Sequence, residues 1–193
     1  MMVASISIGG SRSLSQYASL LAYRIGQILV RRGNYVSVGC ARGADEAALR
    51  GAAHIAPLLV RIYAVGEENG EGFYNSQIPD HIKTAVDLGC HIMWSAGGIQ
   101  GNIRQRLAKR SAHCVSSGVH GAIFVIGTKP SVGSWGAAKV AVKHHIPLYV
   151  CPVDSVSLMG NNNWRWSDTS VQLFGAPCYR WVGTDISQLD EVQ

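Results

Sequence analysis

Apolar positions along the chain gather into short runs, and these runs alternate between two periods. Residues 3–8 form a compact apolar run, which predicts a buried strand ending in the turn Gly9-Gly10-Ser11-Arg12. Leu20, Leu21, Ile25, Ile28 and Leu29 then recur at helical spacing. They predict a helix capped by Ser13, running to about Arg32 and closed by Gly33-Asn34. The alternation continues with a strand at 35–38, a glycine-bounded turn at 39–43, an Ala-rich helix at 44–53 and a strand at 58–65. A polar, Gly-rich loop at 67–75 precedes a helix near 77–88 and a strand at 91–94. After a loop at 96–101 come a basic helix at 102–115, a strand at 121–126, a helix at 134–145 and a strand at 148–150.

Short apolar strands alternating with helices are the pattern of a parallel sheet covered on both faces. The expected fold is therefore α/β, a Rossmann-like three-layer sandwich with a mainly parallel sheet and a short C-terminal extension. Residues 1–153 form the expected domain, and residues 154–193 an extension packed on it. In that extension Gly160-Asn161-Asn162-Asn163 reads as a turn. Trp164, Trp166 and Trp181 lie in a polar, extended tail expected to add two short strands or a cap on the sheet. No internal repeat is visible.

Composition sharpens the picture. Of 193 residues, 47% are hydrophobic and 15% charged, where about 25% charged is usual. That excludes a disordered chain, and the lack of a G-x-y period excludes a collagen-like one. The start carries no signal-peptide pattern, and no run reaches membrane length, so no membrane partner and a cytoplasmic setting are expected. The five cysteines, Cys40, Cys90, Cys114, Cys151 and Cys178, are widely spaced without C-x-x-C. They are expected to be reduced thiols. Cys90-His91 and His113-Cys114 are adjacent pairs whose side chains diverge, so no metal site is expected.

The net charge of +5 is unevenly placed. No acidic residue falls between Asp87 and Asp154, while Arg104, Arg106, Lys109, Arg110, Lys129, Lys139 and Lys143 do. An uncompensated cationic segment concentrates phosphates, although scattered surface charge also serves solubility.

In an open α/β sheet, ligands gather at the carboxyl ends of the strands. Four predicted strand-end loops are rich in Gly, Ser and Arg: those at 9–12, 40–45, 95–98 and 127–136. Glycines let backbone N–H groups approach a phosphate, and helix N-termini add partial positive charge. Arg12 and Arg42 supply planar donors matched to phosphate oxygens. Ser11 reads as a phosphate donor or helix cap, and Asp45 as a brace for Arg42. Lys109 and Arg110 read as backbone-phosphate contacts or as a solvated helix face. Trp135 reads equally as a base-stacking or a core aromatic, and His144-His145 as a helix end. The first turn lacks G-x-G-x-x-G, the second strand ends without an acidic residue, and no G-x-x-x-x-G-K-[ST] occurs. Dinucleotide redox and P-loop chemistry are thereby disfavoured. The Gly9-Gly10-Ser11 turn also lacks the remaining parts of a nucleophile elbow.

Together these residues resemble the DNA-processing protein A (DprA/Smf) family, a Rossmann-like branch of the SLOG superfamily. The turn Ile8-Gly9-Gly10-Ser11-Arg12 looks like the family's G-S-R turn. The run from Val38 through Gly43, Ala44, Asp45, Ala48 and Ala52 is similar to its S-G-x-A-x-G-I-D-x-x-A-H-x-x-A segment. Arg104-Gln105-Arg106 stands where the family has R-N-R. Val132-Gly133-Ser134-Trp135-Gly136-Ala137-Ala138 resembles S-G-[SA]-x-x-T-A, and Pro147-Leu148-Tyr149-Val150-Cys151-Pro152 its final strand. The resemblance implies a single-stranded DNA-binding core that dimerises or forms a higher homo-oligomer and acts in DNA processing or recombination, with no cofactor. It nominates Gly10, Ser11, Arg12, Arg42, Gly43, Asp45, Arg104, Arg106, Gly133 and Ser134 as phosphate-binding, and the glycine loops add Gly9 and Gly136. The alternative is a free nucleotide held as sensor or carrier. A third is a hydrolase like the "lonely guy" nucleoside-monophosphate phosphoribohydrolases, with signature P-G-G-x-G-T-x-x-E. Here Ala137 replaces its Thr and Val140 its Glu, so no carboxylate is in place to stabilise a cationic glycosyl centre, and the expectation leans against an enzyme.

Overall fold

The computed structural model describes residues 3–127, 132–153, 165–167 and 170–183. Its elements follow in the order β1 (Ser5–Gly10), α1 (Gln16–Arg31), β2 (Tyr35–Gly39), α2 (Ala44–Ala53), β3 (Val60–Tyr63), α3 (Asp80–Asp87), β4 (His91–Met93), α4 (Ile103–Ser117), β5 (Gly121–Ile126), α5 (Val132–Lys143) and β6 (Leu148–Pro152). Further along lie two short strands, β7 (Arg165–Trp166) and β8 (Val171–Leu173), and the longer β9 (Ala176–Gly183). The sheet order is β4-β3-β2-β1-β5-β6-β9-β7, with β8 paired to β9. Every pairing from β4 to β6 is parallel, and β9 joins β6 antiparallel.

The fold is the expected Rossmann-like α/β sandwich. Helices α1, α2 and α3 pack on one another over one face, and α4 and α5 over the other. Chain direction explains the split. From β1 to β4 each strand is laid outward on the same side, and α4 then carries the chain back to place β5 beside β1. Strand β1 therefore sits at the topological switch point, where crevices form in such sheets. It is central, and β5 is buried at every position, as both-face coverage requires. Ile8, Ile25, Val36, Val38, Leu49, Ile62 and Val125 anchor one core against α1 and α2. Phe124, Ile126, Ala138, Val142 and Leu148 anchor a second against α5, with Trp135, Trp166 and Trp181 packed on it.

Several boundaries moved for local reasons. Helix α1 is capped by Ser15, whose side chain accepts the Ala18 N–H, and not by Ser13. The strand expected from residue 58 begins only at Val60, because Pro57–Leu59 forms a 3-10 turn. Helix α4 is opened by a full capping box, Asn102 with Gln105. The turn expected at 160–163 and Trp164 lie outside the described residues, as do Thr128 and Lys129.

The cysteine expectation is corrected. Cys40, Cys90 and Cys114 are free and buried, but Cys151 and Cys178 form a disulfide across 27 residues. Tyr149 pairs with Arg180 and Val150 with Tyr179, so Cys151 and Cys178 are the next facing pair of the same antiparallel ladder. Sequence spacing alone could not show that register. Both cysteines are fully buried. Loop-closure entropy for this span is on the order of 3 kcal/mol. Urea unfolding with and without a reductant checks it: reduction, or Cys178→Ser, lowers stability by about 3 kcal/mol.

Candidate phosphate site

The ends of β1 and β2 and the start of α5 surround a cleft at the switch point. Gly9, Gly10, Arg12, Gly39, Ala41, Asp45, Arg110, Ser111, Cys114, Gly133 and Ser134 are among the residues lining it. The turn after β1 is held from three sides. The Ser11 N–H donates to the Val125 carbonyl at 3.0 Å, and the Ala44 N–H donates to the Ser11 carbonyl at 3.1 Å. The Gly127 N–H donates to Ser11 Oγ at 3.0 Å, and Ser134 Oγ donates to the Gly10 carbonyl at 2.8 Å. Gly43 has φ +84, and a Cβ there would press on the Ser11 and Arg12 backbone. The turns bearing Arg12 and Arg42 are thus in direct contact.

The expected brace is corrected. Asp45 does not hold Arg42. Its Oδ2 accepts from Arg110 Nη1 at 3.2 Å and, more weakly, from the Ala41 N–H at 3.4 Å. Asp45 and Arg110 are 8% and 5% exposed, while Arg42 points to solvent. Asp45 stands in the first turn of α2 on its buried side, and α4 delivers Arg110 to it over the end of β2. A Cβ on Gly39 would fall on the Arg110 guanidinium and the Asp45 carboxylate, so only glycine permits the crossing. Burial pushes the Asp45 carboxyl above its ordinary value, against the lowering pull of Arg110. Arg110 is thus no surface phosphate contact. Lys109 beside it is exposed.

The nominated residues separate into four groups. Gly9, Gly10, Arg12, Asp45, Gly133 and Ser134 line the cleft. Ser11 and Gly43 build its walls from behind, and Ser11 is 2% exposed, its Oγ accepting the Gly127 N–H. Arg106 is taken up by structure: Nε donates to the Gly98 carbonyl and Nη2 to the Val65 carbonyl, both at 2.7 Å. The 95–98 loop accordingly packs on Arg106 and does not line the cleft. Arg42, Arg104 and Gly136 are exposed outside the lining. Trp135 is half-buried and packs on the second core. Sequence reasoning missed Ser7, Gly39 and the inward role of Arg110. The signal for Arg110 was helical period: Leu107, Arg110 and Cys114 share one face of α4, so the arginine stands on an apolar stripe.

A family model described as DNA recombination-mediator protein A matches residues 2–170. The chain belongs to that family. It is similar in fold to the DNA processing protein A of Helicobacter pylori, solved for its single-stranded DNA binding mode. That similarity has TM-score 0.61 and 19% identity over 77% of this chain and 65% of that one. It is similar to DNA processing protein A of Streptococcus pneumoniae, with TM-score 0.59 and 16% identity over 78% and 50%. A molybdenum cofactor binding protein from Rippkaea orientalis also shares the fold, with TM-score 0.52 and 16% identity over 77% and 76%. The chain thus spans half to two thirds of the length of the two DNA processing proteins. No curated protein matches it.

Two outcomes test this geometry. Arg110→Leu strands a buried carboxylate and destabilises by about 3–5 kcal/mol, whereas adding Asp45→Leu restores much of the loss. A double-mutant cycle by urea unfolding measures both. His81 of α3 is buried, with a hydrogen bond at the Cys40 backbone beside the cleft. Burial holds its imidazole below its ordinary 6.5, with Glu46, Arg50 and Asp45 also acting on it. The unfolded chain then binds that proton more readily, so stability falls as pH drops through about 6.5. His81→Gln flattens that part of the stability–pH curve.

Proposed function

We propose that the protein binds single-stranded nucleic acid, DNA first, through the phosphate site at the strand ends, and acts in DNA processing or recombination. One observation carries the reading: exposed Arg12 lines the switch-point cleft together with the α5 N-terminus, and exposed Arg42 stands on the glycine turn that touches the turn of Arg12. Guanidinium groups there meet successive backbone phosphates, and the first-turn N–H groups of α5 add fixed partial charge. Exposed Arg104 adds a further cation from α4. Family membership supports this role, and the Helicobacter pylori relative binds single-stranded DNA.

A free nucleotide is the second reading. The cleft volume, about 60 Å3, speaks against it, since pockets that enclose small molecules run about 300–1,000 Å3. Homodimer or higher assembly and a cytoplasmic setting belong to the same proposal. No helix among the described residues is long and apolar enough to cross a membrane. In a reducing compartment Cys151 and Cys178 would stand as thiols.

Fluorescence anisotropy with labelled oligonucleotides across a salt series tests the reading. Binding is expected to weaken with a log–log slope of about −0.7 per contacted phosphate. Arg12→Ala and Arg42→Ala each weaken binding and flatten the slope by about 0.7. Arg31→Ala, at the far end of α1, leaves it alone. Tight mononucleotide binding without oligonucleotide binding would sink the proposal.

A further inference from the structure

Behind Arg12 the cleft runs into the body of the protein. Its floor is Ser7, Ile8, Val115 and Phe124, none more than 4% exposed. Its volume of about 60 Å3 has room for a few waters. A base with its sugar does not fit in that space, and one phosphate head does. Two polar groups of the lining are buried without a hydrogen-bond partner: Ser7 Oγ and Arg110 Nε. Native interiors satisfy nearly all such groups, so each orphan points to an absent partner. The α5 N-terminus supplies Gly133 and Ser134 to the same wall.

The shape selects among phosphates. An internal phosphodiester has two ester arms, and both must leave the site. A cleft closed by a buried floor offers one way out. A phosphomonoester has one arm, carries about −1.5 to −2 charge and presents three acceptor oxygens. That charge is met by Arg12 at the rim and by the unpartnered Nε of Arg110, and Asp45, already paired to Arg110, is the one acidic residue among the described residues of the lining.

We propose that the cleft takes the terminal phosphomonoester of a nucleic-acid strand, so that the protein recognises strand ends as well as strand backbone. The inference rests on the phosphate reading above and adds a ligand class to it. Arg12 and Arg42 hold the chain outside, and Ser7, Arg110 and the α5 amides hold its end inside.

The test compares one short oligothymidylate in three forms: 5′-phosphorylated, 3′-phosphorylated, and hydroxyl at both ends. Anisotropy titrations on the full chain read the affinity ratios. One phosphorylated form is expected to bind about tenfold tighter than the hydroxyl form, the scale of a charge-assisted hydrogen bond, and its identity names the end. Ser7→Ala should unfold at the wild-type urea midpoint, because its hydroxyl has no partner to lose, yet bring the ratio down toward one. Gly9→Ala is the second variant. Its Cβ would meet Phe124 Cε1 at 3.4 Å and Asp45 Oδ1 at 3.6 Å, ordinary contacts that narrow the cleft, and the ratio should fall again. Equal affinity for all three oligonucleotides, with steep salt dependence kept, overturns end recognition and leaves backbone binding standing. A phosphate preference untouched by both variants overturns the placement in this cleft. Failure to bind any of the three overturns the backbone reading itself.

Discussion

The ion pair between Asp45 and Arg110 is the constraint around which the rest of the site is arranged. It joins α2, from one helical layer, to α4, from the other, across the end of β2. Taking two charges out of water costs several kcal/mol per ion before their attraction is counted, so such a pair is weak evidence of stability. What it supplies here is position. Because the guanidinium passes over Gly39, the depth of the cleft is set by an arginine that cannot swing away without stranding a carboxylate. Nη1 is bound to Asp45, while Nε has no protein partner. The pair thus leaves part of a cation on offer inside a wall.

A second network fixes the rim. Ser11 reaches β5 through Val125 and Gly127, and α2 through Ala44, while Ser134 reaches back to Gly10. Three chain segments distant in sequence are locked at one point by backbone bonds and two small hydroxyl side chains. Small residues are needed because the turns touch: at Gly10 and Gly43 an added Cβ would strike backbone. Rigid turns matter for Arg12 and Arg42, whose bases they hold side by side while their guanidinium groups stay in water.

How much of this was legible in the sequence follows from the range of each interaction. Helix α2 and strand β5 fall on the expected boundaries, since their signals, an Ala-rich run and a closed apolar run, are local. Helix α1 begins two residues later than expected because either serine could cap, and only the geometry selects Ser15. The strand-end turns were visible as glycine clusters, and the switch point followed from alternation. Asp45 was assigned to Arg42, its neighbour along the chain, when its partner stands 65 residues away. The disulfide was hidden for the same reason, since only the β6–β9 register brings Cys151 to Cys178. Arg110 could have been placed: a cation among Leu107 and Cys114 on one helical face is a local contradiction, and such contradictions mark where a fold holds a charge inside.

That last point changes what the basic excess means. Counting Lys and Arg in the acid-free segment treats each as available to a ligand. Arg106 is closed off by two carbonyls, Arg110 is buried against a carboxylate from outside the segment, and Arg104 stays in solvent. An arginine on an apolar helix face or beside a loop of free carbonyls satisfies structure first, because an unmet buried donor or acceptor costs more than a surface phosphate contact returns in salt water. Exposed cationic charge near the cleft therefore comes mainly from Arg12 and Arg42, on the two glycine turns. It is the shape of the backbone at Gly10 and Gly43, more than the net charge of the chain, that decides where an anion can be met.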